Sequence, residues 1–217
     1  MNNYKKLLIT LFLITSFTNS AYAFDISVEF SDTVDTCKRV QINQAIEESL
    51  LFFKMRGESL SNDLNIIILT NRNEYEKVLR RFNFSNQKVL QLVERSEGAA
   101  FDNTIIIIYY DYRTFKDIQR SIAHELTHQF QLSKYGKSGI MKNMWITEGA
   151  AEYTGEYFYH GKVFPMYPQD QNIPKQEITK YQQWGAAIQK YGANRVYKQA
   201  LFYYMQYLET TGKDFTI

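Results

Sequence analysis

Five residues near the middle of the chain, His124-Glu125-Leu126-Thr127-His128 within the run SIAHELTHQFQ, restrict the possible folds more than any other stretch. Around them Ile118, Ile122, Leu126 and Phe130 recur every four positions, which predicts a helix from about Thr114 to Lys134 with an apolar stripe against a core. Ser121, His124 and His128 fall on a different face. Positions i and i+4 of a helix lie one turn apart on the same side, about 5–6 Å apart at Cβ. Two imidazoles so placed can fill two corners of a tetrahedral zinc site, and two of the three histidines in the chain are here. The glutamate beside the first histidine is then placed to take a proton from a water that zinc acidifies to a pKa of about 7. Such a chain must pack one face of this helix on a core and turn another toward a cleft.

A catalytic zinc site typically takes three protein ligands and leaves a fourth position for water. A third histidine in the pattern H-E-x-x-H-x-x-G-x-x-H is excluded, because Gln131 and Lys134 occupy the positions of its glycine and last histidine. A glutamate from a following helix is the other common solution. Met144 to Tyr159 (MWITEGAAEYTGEYFY) predicts that helix, with Glu148, Glu152 and Glu156 at i, i+4 and i+8 on one face. Gly149, Ala150 and Ala151 are small enough for another backbone to approach. Glu148 stands 20 positions after His128, across a loop expected at Gly136 and Gly139, room enough for a helix–loop–helix return. Glu152, one turn further, suits a hydrogen bond from the free ring nitrogen of a ligating histidine, which would fix its tautomer. Spacing alone leaves the reverse open, with Glu152 on zinc; reach and the E-x-x-x-E pattern favour Glu148. Glu156 is expected in solvent or in a salt bridge.

The first 23 residues read as a targeting segment, with Lys5 and Lys6 before an apolar run of 11 residues, Leu7 to Phe17, and a small-x-small site at Ala21-Tyr22-Ala23. The run is shorter than the ~20 residues of a spanning helix. An exported chain, periplasmic or secreted, without stable membrane insertion after cleavage is expected. Removing 23 residues from 217 leaves 194, from Phe24 to Ile217, enough for a single domain with a substantial core. That remainder carries 23 basic and 23 acidic residues, so nothing in its charge suggests nucleic-acid binding. Cys37 is alone, so no intrachain disulfide forms, and a buried position is expected for it. Stability must then come from the core and a metal.

The remaining elements follow from periodicity. FDISVEF (24–30) alternates like a strand. Asp35 or Thr36 can cap a helix over Cys37 to Arg56, with Val40, Ile42, Ala45, Ile46, Leu50 and Phe53 near helical spacing. LNIIILT (64–70) reads as a central strand. Asn71 or Asn73 opens a helix through Phe82, and another runs from Ser85 to Glu94. GAAF (98–101), Asp102-Asn103 and TIIIIYY (104–110) form a hairpin, in which the unbroken isoleucine run is buried on both faces and GAAF lies at the sheet edge. Pro165, Pro168 and Pro174 mark a loop before helices at Lys175–Lys190 and Ala193–Thr210. The fold class is α+β, with a helical C-terminal part. The chain has 17 tyrosines and 15 phenylalanines, and the tyrosines concentrate in the C-terminal half, as core packing or as the lining of a peptide cleft.

His124-Glu125-x-x-His128 followed by Trp145-x-x-Glu148-Gly149-x-Ala151-x-Tyr153 resembles the gluzincin metallopeptidases, and most closely the small bacterial peptidase MA-like domains. The resemblance covers roughly Gly98 to Tyr157. It implies a zincin-like fold, a small mixed sheet whose edge strand lies above the active-site helix. It implies His124, His128 and Glu148 as Zn2+ ligands, Glu125 as general base and acid, and Glu152 in the acidic position that supports a ligand. Such domains often continue into another helix where this chain has Gly212 to Phe215, so a short C-terminal subdomain is expected. The implied activity is hydrolysis of peptide bonds in a peptide or protein substrate, Glu125 moving the proton from water to the leaving amine. Tyr153, Tyr157 and His160 follow the glutamate and are candidates for the donor that the tetrahedral oxyanion needs, against the more ordinary role of aromatic residues in packing. The edge strand can bind extended substrate by strand addition. Two other activities fit the same motif: a zincin-shaped binding or assembly module of the cell envelope without turnover, and a zinc amidase acting on a cell-wall amide.

Overall fold

A computed structural model describes residues 24–163 and 173–215. The expected targeting segment, and Pro165 and Pro168 of the expected loop, lie outside the described residues. The four strands, β1 (Ile26–Phe30), β2 (Leu64–Leu69), β3 (Gly98–Phe101) and β4 (Thr104–Ile108), form one sheet in the order β1-β2-β4-β3. β1, β2 and β4 are parallel, and β3 returns antiparallel on β4. The two isoleucine-rich runs take the two central places, where both faces of a strand are covered and a continuous apolar sequence is satisfied. The Asp102-Asn103 turn closes the hairpin with Asp102 at φ 47°, a left-handed conformation that aspartate tolerates better than most residues.

Helices cover both faces. On one, α1 (Thr36–Met55) and α4 (Phe115–Ile140) pack Ile42, Ile46, Phe53, Ile118, Ile122, Leu126 and Phe130 against Ile66, Ile68, Ile105 and Ile107. Phe53 and Phe130 stack with ring centroids 4.3 Å apart. On the other, α2 (Arg72–Arg81) and α3 (Asn86–Arg95) set Tyr75, Val78, Leu79 and Val89 on Ile67, Leu69, Ile106 and Ile108. Side-chain oxygens of Asp35, Asn71 and Ser85 cap α1, α2 and α3. Thr114 and Asp117 form a reciprocal capping box that starts α4. The α+β class and the mixed sheet with its edge strand match the zincin-like expectation.

α5 (Met144–His160), α6 (Tyr181–Tyr191) and α7 (Ala193–Thr211) build the helical C-terminal part around Trp145, Ile178, Trp184, Val196 and Ala200. Two glycines of α5 allow close crossings. A Cβ at Gly149 would lie 2.6 Å from the Ala200 carbonyl oxygen on α7, and one at Gly155 would lie 3.1 Å from Arg120 Cγ on α4. No helix among the described residues is long and apolar enough to cross a membrane.

Four local expectations need correction. α4 continues to Ile140, and Gly136 (φ 64°) kinks it rather than ending it. The single helix expected over Lys175–Lys190 is a 3-10 turn at Lys175–Ile178 followed by α6. The break leaves the Thr179 carbonyl free to accept the Met144 N–H at 2.8 Å, and α5 has no side-chain cap of its own. Cys37 is exposed, because it opens α1 on the side away from Ile42, Ala45 and Ile46. Val40 also faces solvent, two positions from Ile42 and so on the far side of the helix.

Candidate metal centre

α4 carries two different faces. Ile118, Ile122, Leu126 and Phe130 point to the sheet, each no more than 3% exposed. The buried Gln129 amide donates to the Thr104 carbonyl at 2.8 Å and ties the helix to the start of β4. The other face meets α5. There His124 Nε2 and His128 Nε2 stand 3.2 Å apart. Glu148 Oε2, arriving from α5, lies 3.4 Å from His128 Nε2 and 3.8 Å from His124 Nε2. One ligand atom from each of the three falls within 4.8 Å of the others, a group that can hold a metal ion.

The outward ring nitrogens are also engaged. His124 Nδ1 lies 3.3 Å from Glu152 Oε1, and His128 Nδ1 lies 3.0 Å from Gln131 Oε1. Both partners accept, so each imidazole donates from Nδ1 and presents Nε2 to the cluster. Arg120 Nη2 reaches Glu152 Oε2 and Glu156 Oε1, both at 2.9 Å, and Glu156 in turn pairs with His160 Nε2 at 3.2 Å. The Gln131 amide donates to the Thr147 carbonyl at 3.1 Å, next to Glu148 in the chain. The donor set therefore suits zinc: two imidazoles and one carboxylate converge, and each histidine is oriented from behind.

Charge and burial set the protonation of the metal-free cluster. Burial pushes the Glu125 carboxyl up, and the two histidines only partly offset it. Burial disfavours the charged form of His128, but Glu148 overrides this and lifts its pKa to about 9. Burial would raise Glu152, yet its hydrogen bond to His124 and the Arg120 charge hold it at about 2. A metal-free protein thus keeps a proton between His128 and Glu148 that a cation would displace.

Glu125 sits beneath the edge strand. A Cβ at Gly98 would fall 2.5 Å from Glu125 Oε1, so only glycine lets β3 lie this close to the carboxylate. The Tyr75 hydroxyl donates to the Gly98 carbonyl at 3.2 Å, and an Arg113–Glu97 ion pair holds the residue before it.

The remaining candidates take other surroundings. The Tyr153 ring packs on Tyr204 and Phe215, and Tyr157 on Phe52 and Phe158. The exposed His160 sits edge-on to Tyr159 beside Glu156. Sequence reasoning passed over three residues at the cluster. Gln131 is one turn after His128 and Arg120 one turn before His124, so helical spacing could have found both. Tyr197 of α7, whose ring lies 6.4 Å from His124, has no local signal at all.

A cluster of two histidines on the helix under a mixed sheet and one carboxylate from the next helix defines a zincin-like metal protein. Residues 51–190, which is 140 of the 217, match the family described as predicted Zn-dependent protease (DUF2268), and the chain belongs to that family. No curated protein matches the chain.

Proposed function

We propose that the protein is an exported peptidase of the gluzincin type, in which His124, His128 and Glu148 hold zinc and Glu125 is the general base. The observation that supports this most is the convergence of the three donor atoms beside a carboxylate lodged under an edge strand. Zinc held there would supply Lewis acidity, acidifying water and polarising a carbonyl. Glu125 takes the proton of the attacking water and delivers it to the leaving amine. Glu152 and Gln131 keep both imidazoles in the binding tautomer. The outer edge of β3, which pairs with no other strand among the described residues, aligns an extended peptide by main-chain hydrogen bonds, with its scissile bond over Glu125. The leader at residues 1–23 directs the chain out of the cytoplasm.

The test uses the purified mature chain. Zinc content is measured directly, and wild type is compared with Glu125→Gln on a peptide library. One zinc per chain in both proteins, with cleavage only by wild type, is the expected outcome. Equal cleavage by the two removes Glu125 from the mechanism. Zinc without any cleavage favours a binding module, and cleavage of cell-wall amides but not peptides favours an amidase.

A further inference from the structure

Hydrolysis at this site needs a hydrogen-bond donor aimed at the oxyanion that develops on the scissile carbonyl. We propose that the Tyr197 hydroxyl is that donor, an inference that rests on the peptidase reading above.

The placement comes from a helix crossing. α7 approaches α5 at Gly149, the residue after Glu148, closely enough that a Cβ there would meet both the Ala200 carbonyl oxygen and Tyr204 Cβ at 2.6 Å. Tyr197 lies three positions before Ala200, on the same face of α7. The crossing that requires Gly149 is therefore what lays Tyr197 against the ligand cluster, its ring 6.4 Å from His124. The carboxylates of Glu148, Glu152 and Glu125 all lie within electrostatic reach of its hydroxyl. A phenol keeps its proton at neutral pH and so remains a donor.

The hydroxyl is also oriented. Trp184 of α6 meets the Tyr197 ring edge-on, with centroids 5.4 Å apart, and hydrogen-bonds to the hydroxyl. An indole N–H only donates, so the Tyr197 oxygen accepts from it. The phenolic proton is left for another acceptor, and the ring lies against His124 of the cluster. Tyr203 on the same helix differs, because its hydroxyl donates to the Ile173 carbonyl at 2.8 Å.

The experiment compares zinc-loaded wild type with Tyr197→Phe, Tyr197→His, Tyr203→Phe and Glu125→Gln. The probes are the best peptide from the library and its phosphinic analogue, a mimic of the tetrahedral intermediate. Tyr197→Phe is expected to keep one zinc per chain and a near-normal KM. Its kcat should fall by about a hundred- to a thousandfold, and its affinity for the phosphinic peptide by a comparable factor. Tyr197→His restores a donor and recovers part of the lost kcat, while Tyr203→Phe behaves as wild type. A kcat for Tyr197→Phe within about threefold of wild type, well below the effect of removing an oxyanion donor, overturns the assignment when Glu125→Gln is inactive, and leaves the peptidase reading standing. Full activity of Glu125→Gln instead overturns that reading, and Tyr197 with it. Loss of zinc from Tyr197→Phe also overturns the proposal. So does a phenolate-to-metal charge-transfer band in the copper-loaded protein that disappears in Tyr197→Phe, since either makes Tyr197 a ligand.

Discussion

The two faces of α4 are built on opposite rules. Toward the sheet, Ile118, Ile122, Leu126 and Phe130 make non-directional contacts, and hydrophobic area removed from water is what stabilises them. Toward α5, Arg120, His124 and His128 meet Glu148, Glu152 and Glu156 through hydrogen bonds and ion pairs, and Gln131 donates to the Thr147 carbonyl. On the first face a residue can change shape at the cost of packing. On the second, loss of one partner leaves a largely buried charge or ring nitrogen unsatisfied. One helix thus carries stability on one side and chemistry on the other, in residues that alternate along the chain.

Leu126 and Glu125 are adjacent in sequence and give the sharpest break. Leu126→Ala is expected to cost about 2–5 kcal/mol, read by denaturant unfolding, while kcat of the folded fraction stays near wild type. Glu125→Gln should do the reverse, losing about a hundred- to ten-thousandfold in kcat with an unchanged unfolding midpoint. Equal effects of the two variants on both measurements would erase the division between the faces. Glu152→Gln comes next. With the acceptor behind His124 weakened, zinc affinity should fall about 10–100-fold, measured by competition with a chelator. Gly98→Ala tests the edge strand: its Cβ would collide with the Glu125 carboxylate, so kcat should drop while zinc content holds.

The smallest effect is in pH. In the metal-free protein His128 has its pKa raised from 6.5 to about 9, so the fold favours its charged form. That stabilisation is fully present below pH 6.5 and is lost as pH rises through about 9. Thermal unfolding of the metal-free protein should weaken across this window, and a His128→Gln variant should lack that limb. Zinc binding in the same range should release one proton, detected by calorimetry in buffers of different ionisation heat. A flat profile from pH 6.5 to 9 would mean that His128 and Glu148 share no proton.

Periodicity made the apolar face of α4 legible, along with all four strands; the caps at Asp35 and Asn71 were each one of two alternatives, and Ser85 was read only as the start of a helix that it in fact caps. The convergence of His124, His128 and Glu148 followed from helical spacing plus one return of the chain. Contacts that depend on how separate helices cross were not legible. Tyr153 and Tyr157 precede and follow the Gly155 crossing in sequence, and their rings lie against Tyr204, Phe215, Phe52 and Phe158. Tyr197 reaches His124 only because α7 comes back over α5. The break at Thr179 was hidden for the same reason, since its carbonyl serves a helix that begins 35 positions earlier.

The Thr179 carbonyl on the first turn of α5 has a consequence for modularity. Glu148 stands four positions after Met144, the residue whose amide that carbonyl receives. A fragment cut after α5 would retain His124, His128 and Glu148 in its covalent sequence yet lose the brace that sets the register of the helix bearing Glu148. The motif-bearing helix pair is therefore not a transplantable cassette; the register of its second helix is set from outside the pair, at Thr179.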